Sequence, residues 1–115
     1  MKTQTTQKYI RAIENNIISI PYCNIQHLLT YTDANYYNAG VYGWNCDIYV
    51  LNNCMIVTGY RPFGNIKPKY DLCRKYDDLA RDILNDHSIP WETQRDELNA
   101  LLEEFVSCCL FPRCA

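Results

Sequence analysis

Membrane-length apolar runs, catalytic signatures and zinc-knuckle spacings are all missing from this sequence, and glycine is scarce. No stretch approaches the about 20 consecutive apolar residues that a membrane-spanning helix needs. The opening residues, MKTQTTQKYIRAIENN, contain neither an apolar run nor a small-residue cleavage site, which excludes a secretory signal. A complete, cytosolic chain is therefore the expectation. Its last four residues are Pro112-Arg113-Cys114-Ala115, so the cysteine required fourth from the end for prenylation is not there. There is no G-x-S-x-G, no glycine-rich phosphate loop and no H-E-x-x-H. The four glycines fall at 40, 43, 59 and 64, around one hairpin-like stretch, and G-x-x-G at 40–43 fits strand flexibility better than phosphate binding. Asp77-Asp78 and Glu103-Glu104 are adjacent carboxylates, but adjacency on a helix does not aim two carboxyls at one substrate. The expectation is a protein that is not an enzyme.

What is present is tyrosine, cysteine and an uneven charge. The net charge of −2 argues against a general nucleic-acid coat, which needs clustered Lys and Arg. Residues 1–16 carry +2, residues 67–87 balance five basic against five acidic groups, and residues 88–115 carry −3. The late acidity comes from Glu92, Asp96, Glu97, Glu103 and Glu104, either a solvated helix face or a surface for a basic groove on a protein partner. Of ten tyrosines, seven lie between Tyr22 and Tyr60. Tyrosine joins apolar area to a polar tip, so Tyr36, Tyr37, Tyr49 and Tyr60 suit sheet packing and partner binding alike.

Seven cysteines cannot all pair within one chain, and without an export signal reduced thiols are the default. Three of them, Cys108, Cys109 and Cys114, crowd the C-terminus. If the last two helices form an antiparallel hairpin, these three approach Cys73, and four thiolates can hold one structural Zn²⁺. Cys23 and His27, four residues apart, are alternative ligands. Against this stands the lack of any Cys-x-x-Cys, and buried reduced thiols are the more ordinary outcome. For His27 a satisfied or surface role is the simpler reading; His87 is expected to face solvent or cap a helix end.

The pattern along the chain gives one α+β domain spanning 1–115. A helix is expected over 4–16, with Tyr9, Ile10, Ile13 and Ile17 at helical spacing, then a brief extended segment ending at Pro21. Asn24 is placed to cap a short helix from Ile25 to about Leu29. TYTDANYYNA at 30–39 resembles a loop, though an aromatic one. Asn52-Asn53 separates two β-rich runs and suits a two-residue turn. The resulting hairpin, about 40–61, pairs Leu51 with Cys54, Val50 with Met55, Ile48 with Val57, Cys46 with Gly59 and Trp44 with Arg61. One face then holds Trp44, Cys46, Ile48, Val50, Met55 and Val57; the other is a mixed, partly wet Asn45, Asp47, Tyr49, Ile56, Thr58 and Tyr60. Such a hairpin needs cover, so a small antiparallel sheet packed by the N-terminal helix and a C-terminal antiparallel helical hairpin is expected. Pro68 opens the first helix of that hairpin, whose stripe is Leu72, Tyr76, Leu79, Ala80, Ile83 and Leu84. Ser88 and Pro90 announce the second, with Leu98, Leu101, Leu102, Phe105, Val106 and Cys109.

The run YNAGVYGWNCDIY at 37–49, followed by TGYRPFG at 58–64, resembles a group of small proteins from phages and integrative elements of low-GC Gram-positive bacteria. The upstream PYCNIQHLL and the Leu-rich helical end belong to the same likeness, which excludes the Cys-rich tail. It carries over no catalytic residue. What it implies is a setting in which proteins of this size include anti-CRISPR proteins, which bind and inhibit RNA-guided Cas nucleases; some are acidic and a few hold a structural zinc. The leading expectation is thus a host-directed inhibitor using the acidic helix and the tyrosine-rich face, with a Cas nuclease as partner, no membrane and no direct nucleic-acid contact. An accessory module of the mobile element, using Lys2, Lys8, Arg11, Lys67, Lys69 and Arg74, is the alternative, and a small Cys-dependent enzyme the third.

Overall fold

The hairpin forms in the register that its alternation dictates. In the computed structural model, which describes residues 16–21, 25–41, 44–52, 54–59 and 63–111, strand β3 (Trp44–Val50) pairs antiparallel with β4 (Met55–Gly59). Val50 faces Met55, Ile48 faces Val57 and Cys46 faces Gly59, and the Leu51 N–H donates to the Cys54 carbonyl at 2.9 Å. Asn53 and Arg61 lie outside the described residues, as do Tyr60 and residues 4–15 of the helix expected over 4–16.

Two strands extend this hairpin into a four-stranded sheet of order β1-β4-β3-β2. Strand β1 (Ile17–Pro21) lies parallel to β4, so the sheet is mixed rather than antiparallel. Ile17 belongs to that strand and not to a preceding helix. Three isoleucines in five residues suit a strand buried on both faces, which is where parallel pairing is found. Strand β2 (Asn35–Val41) pairs antiparallel with β3 and corrects the loop expected over 30–39. Gly40 and Val41 therefore belong to β2, and the hairpin strand β3 begins only at Trp44.

Ile17, Cys46, Ile48, Val50, Met55 and Val57 form a buried cluster on one face, with Tyr37, Ala39 and Phe63 packed against it. The other face is drier than its composition suggests: Tyr49, Ile56 and Thr58 are buried there, beside Ile18 and Ile20 of β1. On the outer side of β1, Ile66 donates to the Ile17 carbonyl at 3.1 Å and accepts from the Ser19 N–H at 2.8 Å. Gly64 makes this approach possible. Its φ of +152° is unfavourable for other residues, and an added Cβ would come within 2.9 Å of both the Ile17 carbonyl oxygen and the Ser19 Cβ.

These strands form one compact unit, and residues 23–33 with 68–115 form another. In the second unit a short helix α1 (Gln26–Thr30) precedes α2 (Tyr70–Asn85) and α3 (Trp91–Leu110). Pro68 lies before the first helical turn of α2 rather than within it, because Lys69 is still extended at ψ 147°. The two long helices run antiparallel. Gln94 near the start of α3 meets the end of α2, while Tyr76 stacks edge-on against Phe105 at 5.6 Å. The buried line of α2 is Cys73, Tyr76 and Ala80, displaced from the expected stripe so that Leu79 is exposed. On α3 it is Gln94, Leu98, Leu102, Phe105, Val106 and Cys109.

Candidate functional site

Helix α3 sorts its residues by period. Burying Leu98, Leu102, Phe105 and Cys109 turns Glu92, Asp96, Glu97, Glu103 and Glu104 outward, and all five are exposed. The basic residue within the helix is Arg95, whose Nε lies 3.9 Å from a carboxylate oxygen of Asp33. Asp33 is also tied to Asn99, which accepts from the Asp33 N–H and donates to its carboxylate, each at 2.8 Å. Among the described residues none of Glu92, Asp96, Glu97 and Glu103 has an ion-pair partner. Glu104 differs, since it accepts a 3.0 Å bond from the Tyr76 hydroxyl.

At the start of α3 this acidic face adjoins an aromatic pair. Trp91 and Tyr31 meet edge-to-face with centroids 5.8 Å apart, yet remain 48% and 46% exposed. Large aromatics left open beside a charged surface are the residue types that anchor protein interfaces. Neither stands out in the sequence, because Tyr31 reaches Trp91 only through the fold of α1 against the long helices. An unburied Trp just after a helix-initiating Pro was the available signal.

The four tyrosines expected to share a face do not. Tyr36 and Tyr49 stack at 5.3 Å on one side of the sheet, with the Tyr36 hydroxyl donating to Asp47 at 2.7 Å and Asn38 donating to the same carboxylate at 3.1 Å. Tyr37 points to the opposite face and packs on the apolar cluster, as strand alternation requires. Tyr49 is buried, and Tyr60 lies outside the described residues.

His27 is held rather than idle. Asp77 accepts from the His27 and Leu28 backbone N–H groups at 2.9 and 3.2 Å and from the His27 ring Nδ1 at 2.9 Å, closing the exposed start of α1. Among the described residues the hydrogen-bond partner of the His27 ring is Asp77. His87 faces solvent.

The antiparallel helices bring Cys108 to 3.4 Å from the Tyr76 hydroxyl, one turn from Cys73. Among the described residues, however, no three Cys, His, Asp or Glu side chains gather closely enough to hold a metal ion. Cys73, Cys108 and Cys109 do not converge as a set, and Cys114 and Cys23 lie outside the described residues. Burial pushes the thiols of Cys54 and Cys73 up to about 11, and Cys46 is raised for the same reason, with Asp47 adding to it. Such thiols stay protonated and unreactive at neutral pH. Burial, with help from Cys108 and Glu104, also raises Tyr76.

No family model, curated protein or solved structure matches this chain. No helix among the described residues is long and apolar enough to cross a membrane.

Proposed function

We propose that this is a non-enzymatic binding protein whose acidic α3 face docks into a basic groove on a protein partner. The observation that carries the reading is the exposure of Glu92, Asp96, Glu97 and Glu103 without ion-pair partners among the described residues, next to the open Trp91–Tyr31 pair. Like charges gathered on one helix repel each other and contribute nothing to folding. A basic partner removes that repulsion, steers the encounter and fixes orientation, while the aromatics supply the apolar anchor.

The grooves that hold nucleic acid are the most strongly basic surfaces available to such a helix. Joined to the mobile-element resemblance, this makes an inhibitor of an RNA-guided Cas nuclease the most specific form of the proposal. The test is RNA-guided DNA cleavage by a panel of such nucleases with this protein in excess. Inhibition of one member, relieved by raised salt, is expected. No inhibition across the panel, or a salt-sensitive shift of DNA by the protein alone, would overturn the inhibitor reading.

A further inference from the structure

The two edges of the sheet are finished differently. On β1 the outward Ile17 carbonyl and Ser19 N–H are taken up by Ile66, and the strand ends in Pro21, which has no N–H to offer. Among the described residues, strand β2 is the last strand on the other side. Its sequence, NYYNAGV, contains none of the Lys, Asp, Glu or Pro residues that keep natural edges from pairing.

The ladder tells which backbone groups of β2 point away from β3. Leu51 and Cys54 form a hydrogen-bonded pair, and such pairs alternate with non-bonded ones along an antiparallel ladder. Counting back, Val50, Ile48 and Cys46 direct their amides toward β2, where they meet Asn35, Tyr37 and Ala39. The N–H and C=O of Asn38 and Gly40 therefore face outward.

We propose that the β2 edge is a self-association site, on which a second copy of this chain lays its own β2 antiparallel about a two-fold axis at Asn38. In that register Asn38 faces its own mate as a hydrogen-bonded pair, and all seven residues of the strand are matched. Side chains alternate large against small on both faces. Tyr37 opposes Ala39 of the other copy, and Tyr36, held by Asp47 and Tyr49, opposes Gly40. Among the described residues, an added Cβ at Gly40 would meet no atom within 4 Å, so that position has room for a neighbouring ring. A symmetric pair sets like charges against like, and an uncharged strand is the kind that tolerates it, which favours a second copy over a charged foreign strand.

Sedimentation of the full chain over a wide concentration range tests this, with Asn38→Pro and Gly40→Lys alongside. The Asn38 N–H faces away from β3, so proline there leaves the internal ladder whole. Gly40 is not at positive φ, so lysine there is compatible with the strand and adds a repelling charge. The wild type is expected to dimerise reversibly, and both variants to stay monomeric with unchanged circular dichroism; should Asn38→Pro unfold, Gly40→Lys alone decides. A wild type that remains monomeric throughout would overturn the proposal and leave the edge to a foreign strand. A Gly40→Lys protein that dimerises like the wild type would overturn it as well.

Discussion

At the scale of single residues, the positions that matter most are those where a side chain, or the lack of one, settles a local conflict. Gly64 has a φ of +152° and sits directly against Ile17 and Ser19. Gly64→Ala is expected to cost about 2 kcal/mol or more, through backbone strain and through displacement of the segment that covers β1, measured by urea denaturation. Thr58 is the opposite case. Its buried hydroxyl has no hydrogen-bond partner among the described residues, so Thr58→Val is expected to be neutral or to stabilise by about 1 kcal/mol. A loss of similar size on the same denaturation curve would show that the hydroxyl has a partner. The buried thiols set a pH dependence. Cys54 and Cys73 rise from 9.0 to about 11 on folding, so the native state holds protons that the unfolded chain has released. Their contribution is intact below pH 9, is lost as pH climbs toward 11, and Tyr76 acts in the same sense at still higher pH. Melting temperature should therefore fall above about pH 9, and less steeply in Cys54→Ala; a flat alkaline limb would contradict the burial of these thiols.

At the scale of elements, the second unit relies on a few side chains that reach helix ends. Asp77 ties α1 to α2 through two backbone N–H groups and the His27 ring. Asp77→Ala should destabilise by about 1–3 kcal/mol and speed amide exchange at His27 and Leu28 first; unchanged exchange there would refute the capping role. Gln94 does the corresponding work at the other end of α2, donating to the Ile83 and Asp86 carbonyls at 2.9 Å each. Neither tie was legible in the sequence, since each joins residues that only the tertiary fold brings together. The β3–β4 register was legible because period-two alternation on both sides of a two-residue turn leaves a single pairing. Strand β2 was hidden by its asparagines, which disfavour strands, and by its edge position, where alternation is relaxed. The buried line of α2 runs through Cys73 rather than Leu79, a rotation of the helix that its sequence pattern alone does not fix. The acidic face was legible and its aromatic border was not; Tyr36 and Tyr37 fall on opposite faces only once residues 35–41 are a strand rather than the expected loop.

At the scale of the whole molecule, the fold is α+β, with a small mixed sheet and C-terminal helices, and its two long helices carry charge differently. The exposed faces of α2 mix signs, with Asp78 between Arg74 at 4.0 Å and Arg81 at 3.0 Å, whereas α3 leaves its carboxylates unbalanced. Reversing charge on α3 should therefore spare the fold. Glu97→Lys with Glu103→Lys is expected to keep or slightly raise the melting temperature by relieving repulsion, since exposed charges contribute little on their own. The measurement that bears most directly on the central claim is the concentration of protein needed to inhibit a sensitive RNA-guided nuclease, compared between wild type and this double variant. A loss of at least about tenfold in potency, with the fold retained, is expected. Equal potency in the two proteins would place the binding surface elsewhere and contradict the role assigned to α3.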